Sequence, residues 1–191
     1  VCSFRNLCSL ILSVTVAGCS ADSVPRTAVT VSEKETAAIK ALQAAGAVVK
    51  TNANGAATDI DLHKLSVSAD TLSFLTKLES LRVLNLADTS FSDESLPVLE
   101  GLSPGLTSLD LRGCPITDKA TTVITRFEGL KALRFNGKNG QTSISDDGVR
   151  SLAACKSLKV LALDELTFVG TDGLAALNDL KDLQELYVAG T

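Results

Sequence analysis

From residue 57 onward, apolar residues recur at fixed places in a unit of about two dozen residues. The stretches ATDIDLHKL (57–65), LRVLNLADT (81–89), LTSLDLRGC (106–114), LKALRFNGK (130–138), LKVLALDEL (158–166) and LQELYVAGT (183–191) align on their first, fourth and sixth places. Their starting positions differ by 24, 25, 24, 28 and 25 residues. Apolar fourth and sixth places with polar or small residues between them predict one short strand per unit, one face inward. Between the strands, FSDESLPVLEGL, ITDKATTVITRF, ISDDGVRSLAAC and VGTDGLAALNDL each predict a turn followed by a helical segment. Upstream, Ser32 and Glu35 form a capping-box pattern ahead of TAAIKALQAA. Ala38, Ile39, Leu42 and Ala45 give that helix an apolar face, and Gly46 stops it. AVVKT then reads as a short strand, and NANG as a turn into ATDIDL.

A period of this length with L-x-x-L-x-L is the signature of a leucine-rich repeat. The sequence resembles bacterial leucine-rich repeat proteins built from T-x-I-T-D-x-G-L-type units, which are similar in form to cysteine-containing and ribonuclease-inhibitor-like repeats. The resemblance spans Ala57 to Thr191, about 70% of the chain. It implies an α/β solenoid, a right-handed β-α superhelix with a parallel concave sheet and a helical convex side. One repeat cannot bury its apolar face alone, so the units must stack. Residues 32–56 would form an N-terminal capping helix and strand, and residues 57–191 the repeats. At the other end the sequence stops at Thr191, directly after a strand. We expect that edge to be covered, by missing sequence, another molecule or a second copy.

The first residues do not follow the repeat. VCSFRN carries one positive charge, Arg5, and Leu7 to Ala17 is an apolar run too short to span a bilayer. Residues 1–18 thus read as a secretory signal. The following Val16-Ala17-Gly18-Cys19 resembles the bacterial lipobox. That resemblance implies cleavage before Cys19 and lipidation of its thiol, and several acyl chains on one residue give stable anchoring to a membrane. Ser20, rather than Asp, favours export to the outer membrane under the sorting rule of some bacterial lipoproteins. Residues 19–31, CSADSVPRTAVTV, read as a flexible tether. The sequence begins with Val rather than Met, which points to an alternative start codon or a missing N-terminus.

Composition narrows the function. The chain has 191 residues, no Trp, no Met and a single Tyr, so aliphatic residues must carry the core. Its net charge is −4, and without residues 1–18, which hold Arg5 and no acid, 17 basic residues face 22 acidic ones, giving −5. An acidic chain without a basic stripe argues against nucleic acid and against electrostatic docking on anionic lipid.

Several residue types invite a chemical reading. Cys114 is the ninth residue of its unit, where repeats of this kind take Asn or Cys and sister units carry Thr89 and Thr191; a buried thiol satisfying turn backbone is expected there. Cys155 aligns with Leu102, Phe127 and Leu180 and reads as core. Ser92, Thr117, Ser145 and Thr171 read as helix N-caps, and Asp93, Asp118, Asp146 and Asp172 suit the positive end of each helix. NGKNGQTS (136–143) lacks the order of a phosphate-binding loop and coincides with the 28-residue unit, so it reads as a surface insertion. His63, the only histidine, belongs just past the first strand of the repeats. No cofactor or metal set is expected. What remains is the concave face, where fifth places form the row Asp61, Asn85, Asp110, Arg134, Ala162, Tyr187 and third places the row Asp59, Val83, Ser108, Ala132, Val160, Glu185. Asp61, Asn85, Asp110, Arg134, Glu185 and Tyr187 are the candidate binding residues. The expected function is a protein- or peptide-binding module, not an enzyme. It would be lipid-anchored and extracytoplasmic, facing the periplasm or the cell surface. The alternative is a structural subunit of the cell envelope that self-associates through its open C-terminal repeat edge.

Overall fold

The computed structural model describes residues 31–191. The expected signal peptide, the Cys19 lipidation site and the tether up to residue 30 lie outside the described residues. Helix α1 (Glu33–Ala44) leads into a hairpin of β1 (Val48–Thr51) and β2 (Ala57–Asp61). Strands and short helices then alternate: α2 (Ala69–Leu75), β3 (Val83–Asn85), α3 (Leu96–Glu100), β4 (Ser108–Asp110), α4 (Asp118–Ile124), β5 (Ala132–Asn136), α5 (Asp146–Leu152), β6 (Val160–Asp164), α6 (Thr171–Ala176) and β7 (Glu185–Tyr187). The seven strands form one sheet in sequence order; β1 and β2 are antiparallel and every later pair is parallel. This is an α/β leucine-rich repeat solenoid.

The repeat pattern explains the core. In the first five units the first, fourth and sixth residues, from Ala57, Ile60 and Leu62 to Leu158, Leu161 and Leu163, are each at most 1% exposed. In the last unit Leu183 and Val188 are half-buried and Leu186 is 41% exposed, because no further repeat covers β7 among the described residues.

Backbone hydrogen bonds join the turns just beyond the strands. The eighth-place N–H of each unit donates to the seventh-place carbonyl of the next: Lys64 to Ala87, Asp88 to Arg112, Gly113 to Asn136, Gly137 to Asp164 and Glu165 to Ala189. At five of the six eighth places, Lys64, Asp88, Gly113, Glu165 and Gly190, the backbone is left-handed, with φ between 55° and 72°. Behind this turn, Cys114 Sγ donates to the carbonyl of Leu86 at 3.1 Å, and Thr191 Oγ1 makes the corresponding bond to Leu163 at 3.0 Å. In the 28-residue unit, Lys138 at the ninth place is exposed. Thr142 fills the interior instead, donating to the carbonyls of Cys114 and Asn136.

The N-terminal cap uses half of the expected capping box. Ser32 Oγ accepts from the N–H of Glu35 at 3.1 Å. The Glu35 carboxylate does not return to Ser32; it is buried and accepts the N–H of Ala57 at 3.1 Å, holding the first residue of β2. Ala38 and Leu42 are buried, whereas Ala45, expected on the apolar face, is exposed at the helix end.

On the convex side, the repeated Asp does more than sit at a helix N-terminus. Asp93 accepts the N–H and hydroxyl of Thr117, Asp118 those of Ser145, and Asp146 the N–H of Gly170, each in the following unit. The last contact corrects the expected cap of α6. Gly170 is the extended N-cap residue and Thr171 the first helical residue, so the Ser-Asp pattern of α5 is displaced by one place. Gly148 and Gly173 make room for these carboxylates: a Cβ on Gly148 would lie 2.1 Å from Asp118 Oδ1, and one on Gly173 2.5 Å from Asp146 Oδ1.

Candidate functional site

The sheet register aligns both concave rows. Asp61 pairs with Asn85, Asn85 with Asp110, Asp110 with Arg134, Arg134 with Ala162 and Ala162 with Tyr187. The third-place row runs through Asp59, Val83, Ser108, Ala132, Val160 and Glu185 in the same way. Six strands spaced ~4.8 Å apart give a face ~24 Å long.

Along this row the side chains divide by role. Asp61 Oδ1 accepts the N–H of His63 at 2.9 Å, Asn85 Oδ1 that of Ala87 at 3.0 Å and Asp110 Oδ1 that of Arg112 at 3.1 Å. Each closes the turn that ends its strand, as short carboxylate and amide side chains do two residues ahead. Later in the chain the acceptor moves to the seventh place: Asn136 Oδ1 takes the N–H of Lys138, and Asp164 Oδ1 that of Ala189. Arg134 and Tyr187, at position five of their units, make no turn-closing bond of this kind, and the seventh-place N–H beyond Tyr187 is taken by Asp164 instead.

Asp110 is also bound by the Arg112 side chain. Arg112 Nε lies 2.9 Å and 3.0 Å from its two oxygens, and Nη2 lies 2.7 Å from Oδ2. Asp110 is 7% exposed, so the charge presented to solvent there is the guanidinium of Arg112. The hydrogen bond to Asp110 pushes the Arg112 pKa up, aided by the charges of Asp110, Asp88 and Asp164 against the opposing effect of burial. Arg134, half-buried on the neighbouring strand, joins none of the ion pairs among the described residues. At the far end, Tyr187 Oη donates to Glu185 Oε2 at 2.8 Å, and that bond raises the phenol pKa.

An open concavity of about 580 Å³ lies on the rim at the C-terminal ends of the strands, between His63, Asp88, Arg112, Lys138 and Asn139. His63 Nε2 is 3.2 Å from Asp88 Oδ2. The inserted loop of the 28-residue unit builds the opposite wall and is held in place. Asn139 Nδ2 donates to the carbonyl of Gly113 at 2.8 Å, while its Oδ1 accepts the N–H of Gln141. The irregular repeat spacing was the only sequence signal for this rim, and it did not reveal that His63, three units away in sequence, faces the same concavity.

Chemistry at the cysteines is restrained by burial. Cys114 and Cys155 are free and buried, and desolvation pushes each thiol up to about 11, so both are protonated at neutral pH. Among the described residues, no group of three or more His, Cys, Asp or Glu side chains is placed to hold a metal ion. None of the described helices is long and apolar enough to cross a membrane.

A family model described as "Leucine Rich repeat" matches residues 103–120, the stretch that includes β4 and the turn holding Cys114. The chain has the leucine-rich repeat fold. Solved structures agree on this fold. The tropomodulin C-terminal domain of Caenorhabditis elegans superposes with a TM-score of 0.53 at 13% identity, covering 78% of this chain and 92% of that one. The Arabidopsis receptor kinase HAESA, solved in complex with the peptide hormone IDA and the co-receptor SERK1, gives a TM-score of 0.51 at 16% identity. That match covers 83% of this leucine-rich repeat chain and 34% of the kinase chain. No curated protein sequence matches the chain.

Proposed function

We propose that this leucine-rich repeat protein is a protein- or peptide-binding module, not an enzyme, whose concave sheet is the recognition surface. The observation that carries this reading is that Arg134 and Tyr187 make no turn-closing bond. Arginine and tyrosine are residue types that anchor interfaces, and here they flank the small Ala162 in one row of a rigid sheet. The solved complex of HAESA with a peptide hormone is a precedent for this fold as a peptide receptor. The apolar run ending in Val16-Ala17-Gly18-Cys19 supports a lipid anchor on Cys19 and an extracytoplasmic, envelope-facing location in a bacterial cell.

Affinity capture of the tethered protein from its native envelope tests the reading, run beside an Arg134→Glu, Tyr187→Ala variant. Asp110 is left unchanged because its carboxylate closes a turn. Loss of a captured partner in a still-folded variant supports the concave site, and unchanged capture contradicts it. A second reading is assembly through β7, which among the described residues pairs only with β6 and leaves Leu186, normally an inward position, 41% exposed. Concentration-dependent oligomers abolished by Leu186→Lys would favour it.

A further inference from the structure

The concave face carries its charges in a fixed order. At one end Asp59 and Asp61 stand on the same strand and project to the same face, beside Val83 and Asn85 of β3. A shallow concavity of about 180 Å³ opens there, walled by Val48 and Lys50. Lys50 is the cross-strand partner of Asp59, and Asp61, whose Oδ1 closes its turn by accepting the N–H of His63, keeps its second oxygen without a hydrogen bond among the described residues. None of these three charged groups joins an ion pair among the described residues. Three strands further along the row of Asp61 stands Arg134. Its neighbours on the face include Ala132 on its own strand and Ala162 on β6; Ala162 is only 5% exposed, and Arg134 itself is half-buried. Asp110, the nearest carboxylate in the row, is already held by Arg112.

Resting on the concave-face reading above, we propose that this surface takes an extended peptide laid across the strands. A basic side chain sits at Asp59 and Asp61, and an acidic side chain four residues away sits at Arg134. The spacing follows from two repeats of different length. Three steps between strands cover ~14 Å, and four residues of extended chain, at ~3.3–3.4 Å each, cover ~13–14 Å. The two-residue alternation of an extended chain also sets residues four apart on one side. Separations of three or five turn the second charge away from the sheet, and a separation of two covers only ~7 Å, half the distance. Val48, which is 61% exposed, and the half-buried Val83 give the aliphatic stem of a Lys or Arg an apolar surface to lie against.

The test uses fluorescent peptides of Ser and Thr carrying one Lys and one Glu at separations of three, four or five. They are titrated by anisotropy against the full chain at low ionic strength, where exposed charges are least screened. The four-residue separation is expected to bind about fivefold more tightly than the other two, the scale set by exposed ion pairs. Arg134→Glu is expected to shift the preference to a Lys/Lys probe of the same spacing, and Asp59→Lys to a Glu/Glu probe. A merely structural role for either residue would produce no such exchange. Equal affinity at all separations, with sensitivity to Arg134→Glu retained, overturns the spacing rule and leaves the concave surface as the binding face. Indifference to both substitutions overturns the inference altogether, and partner capture with the Arg134→Glu, Tyr187→Ala variant then decides the concave reading separately.

Discussion

The carboxylate of Asp118 accepts two hydrogen bonds from Ser145 in the next repeat, one from its N–H at 2.8 Å and one from its hydroxyl at 2.5 Å. Asp118 thereby caps its neighbour's helix as well as standing at the start of its own. Asp118→Ala should cost ~2 kcal/mol, the scale of hydrogen bonds to a charged acceptor. Gly148→Ala should destabilise by ~1–3 kcal/mol through the clash of its Cβ with the same carboxylate. The two effects are coupled, so Gly148→Ala should cost much less in the Asp118→Ala background. Denaturant midpoints of the four proteins measure this; strict additivity would show that the carboxylate does not set the need for glycine.

A second long-range carboxylate contact ties the cap to the repeats. Glu35 is 4% exposed, and its only hydrogen bond to the repeats goes to the N–H of Ala57, 22 residues away. Glu35→Ala leaves a buried amide unpaired and should cost ~1–3 kcal/mol, whereas Glu35→Gln keeps an acceptor and should cost less. Hydrogen exchange at the Ala57 amide is the local readout, accelerated by Ala and largely preserved by Gln. Equal acceleration in both variants would contradict the assignment.

Much of the architecture was legible in the sequence, because leucines at the first, fourth and sixth places leave few other ways to bury themselves. The side-chain roles were less so. Recurrence showed that Asp93, Asp118 and Asp146 belong to the repeat, but not that each carboxylate reaches into the following unit. The concave candidates Asp61, Asn85 and Asp110 share one hidden duty, closing the turn two residues ahead, which a single strand's sequence does not distinguish from exposure to a ligand. Thr171 was misread as a cap because Gly170, which occupies that place, has no side chain to signal it. Glu35 matched a local motif, and burial against β2 drew its carboxylate to a distant partner instead.

The cysteine thiols give a pH prediction. Burial raises Cys114 and Cys155 from the ordinary 9.0 to about 11, so the folded state holds both protons more tightly than the unfolded chain. Their contribution to stability is therefore complete below pH 9 and lost as pH rises from about 9 to about 11. Replacing both by Ala should flatten that part of the stability profile. At neutral pH both thiols should resist a thiol-specific reagent in the native protein and react on unfolding. Rapid native-state labelling of Cys114 would contradict its buried placement.

Arg112 and Arg134 are predicted to differ although both are cations near the concave face. Arg112→Ala strips a nearly buried carboxylate of its partner and should cost ~1–3 kcal/mol. Arg134→Ala breaks no ion pair among the described residues and should change stability by less than ~0.5 kcal/mol. Thermal or denaturant unfolding compares them directly. A large loss at Arg134 would assign it a structural duty and remove the argument for its role in binding.

The central claim, recognition through the concave sheet, is tested most directly by photo-crosslinking in the cell that makes the protein. A photoreactive residue is placed either at Ser108, on the concave face, or at Lys119, exposed at the start of convex helix α4. A partner protein or peptide crosslinked from position 108 and not from position 119 is the predicted result. Crosslinks from position 119 alone would contradict the account and move the recognition surface to the helices.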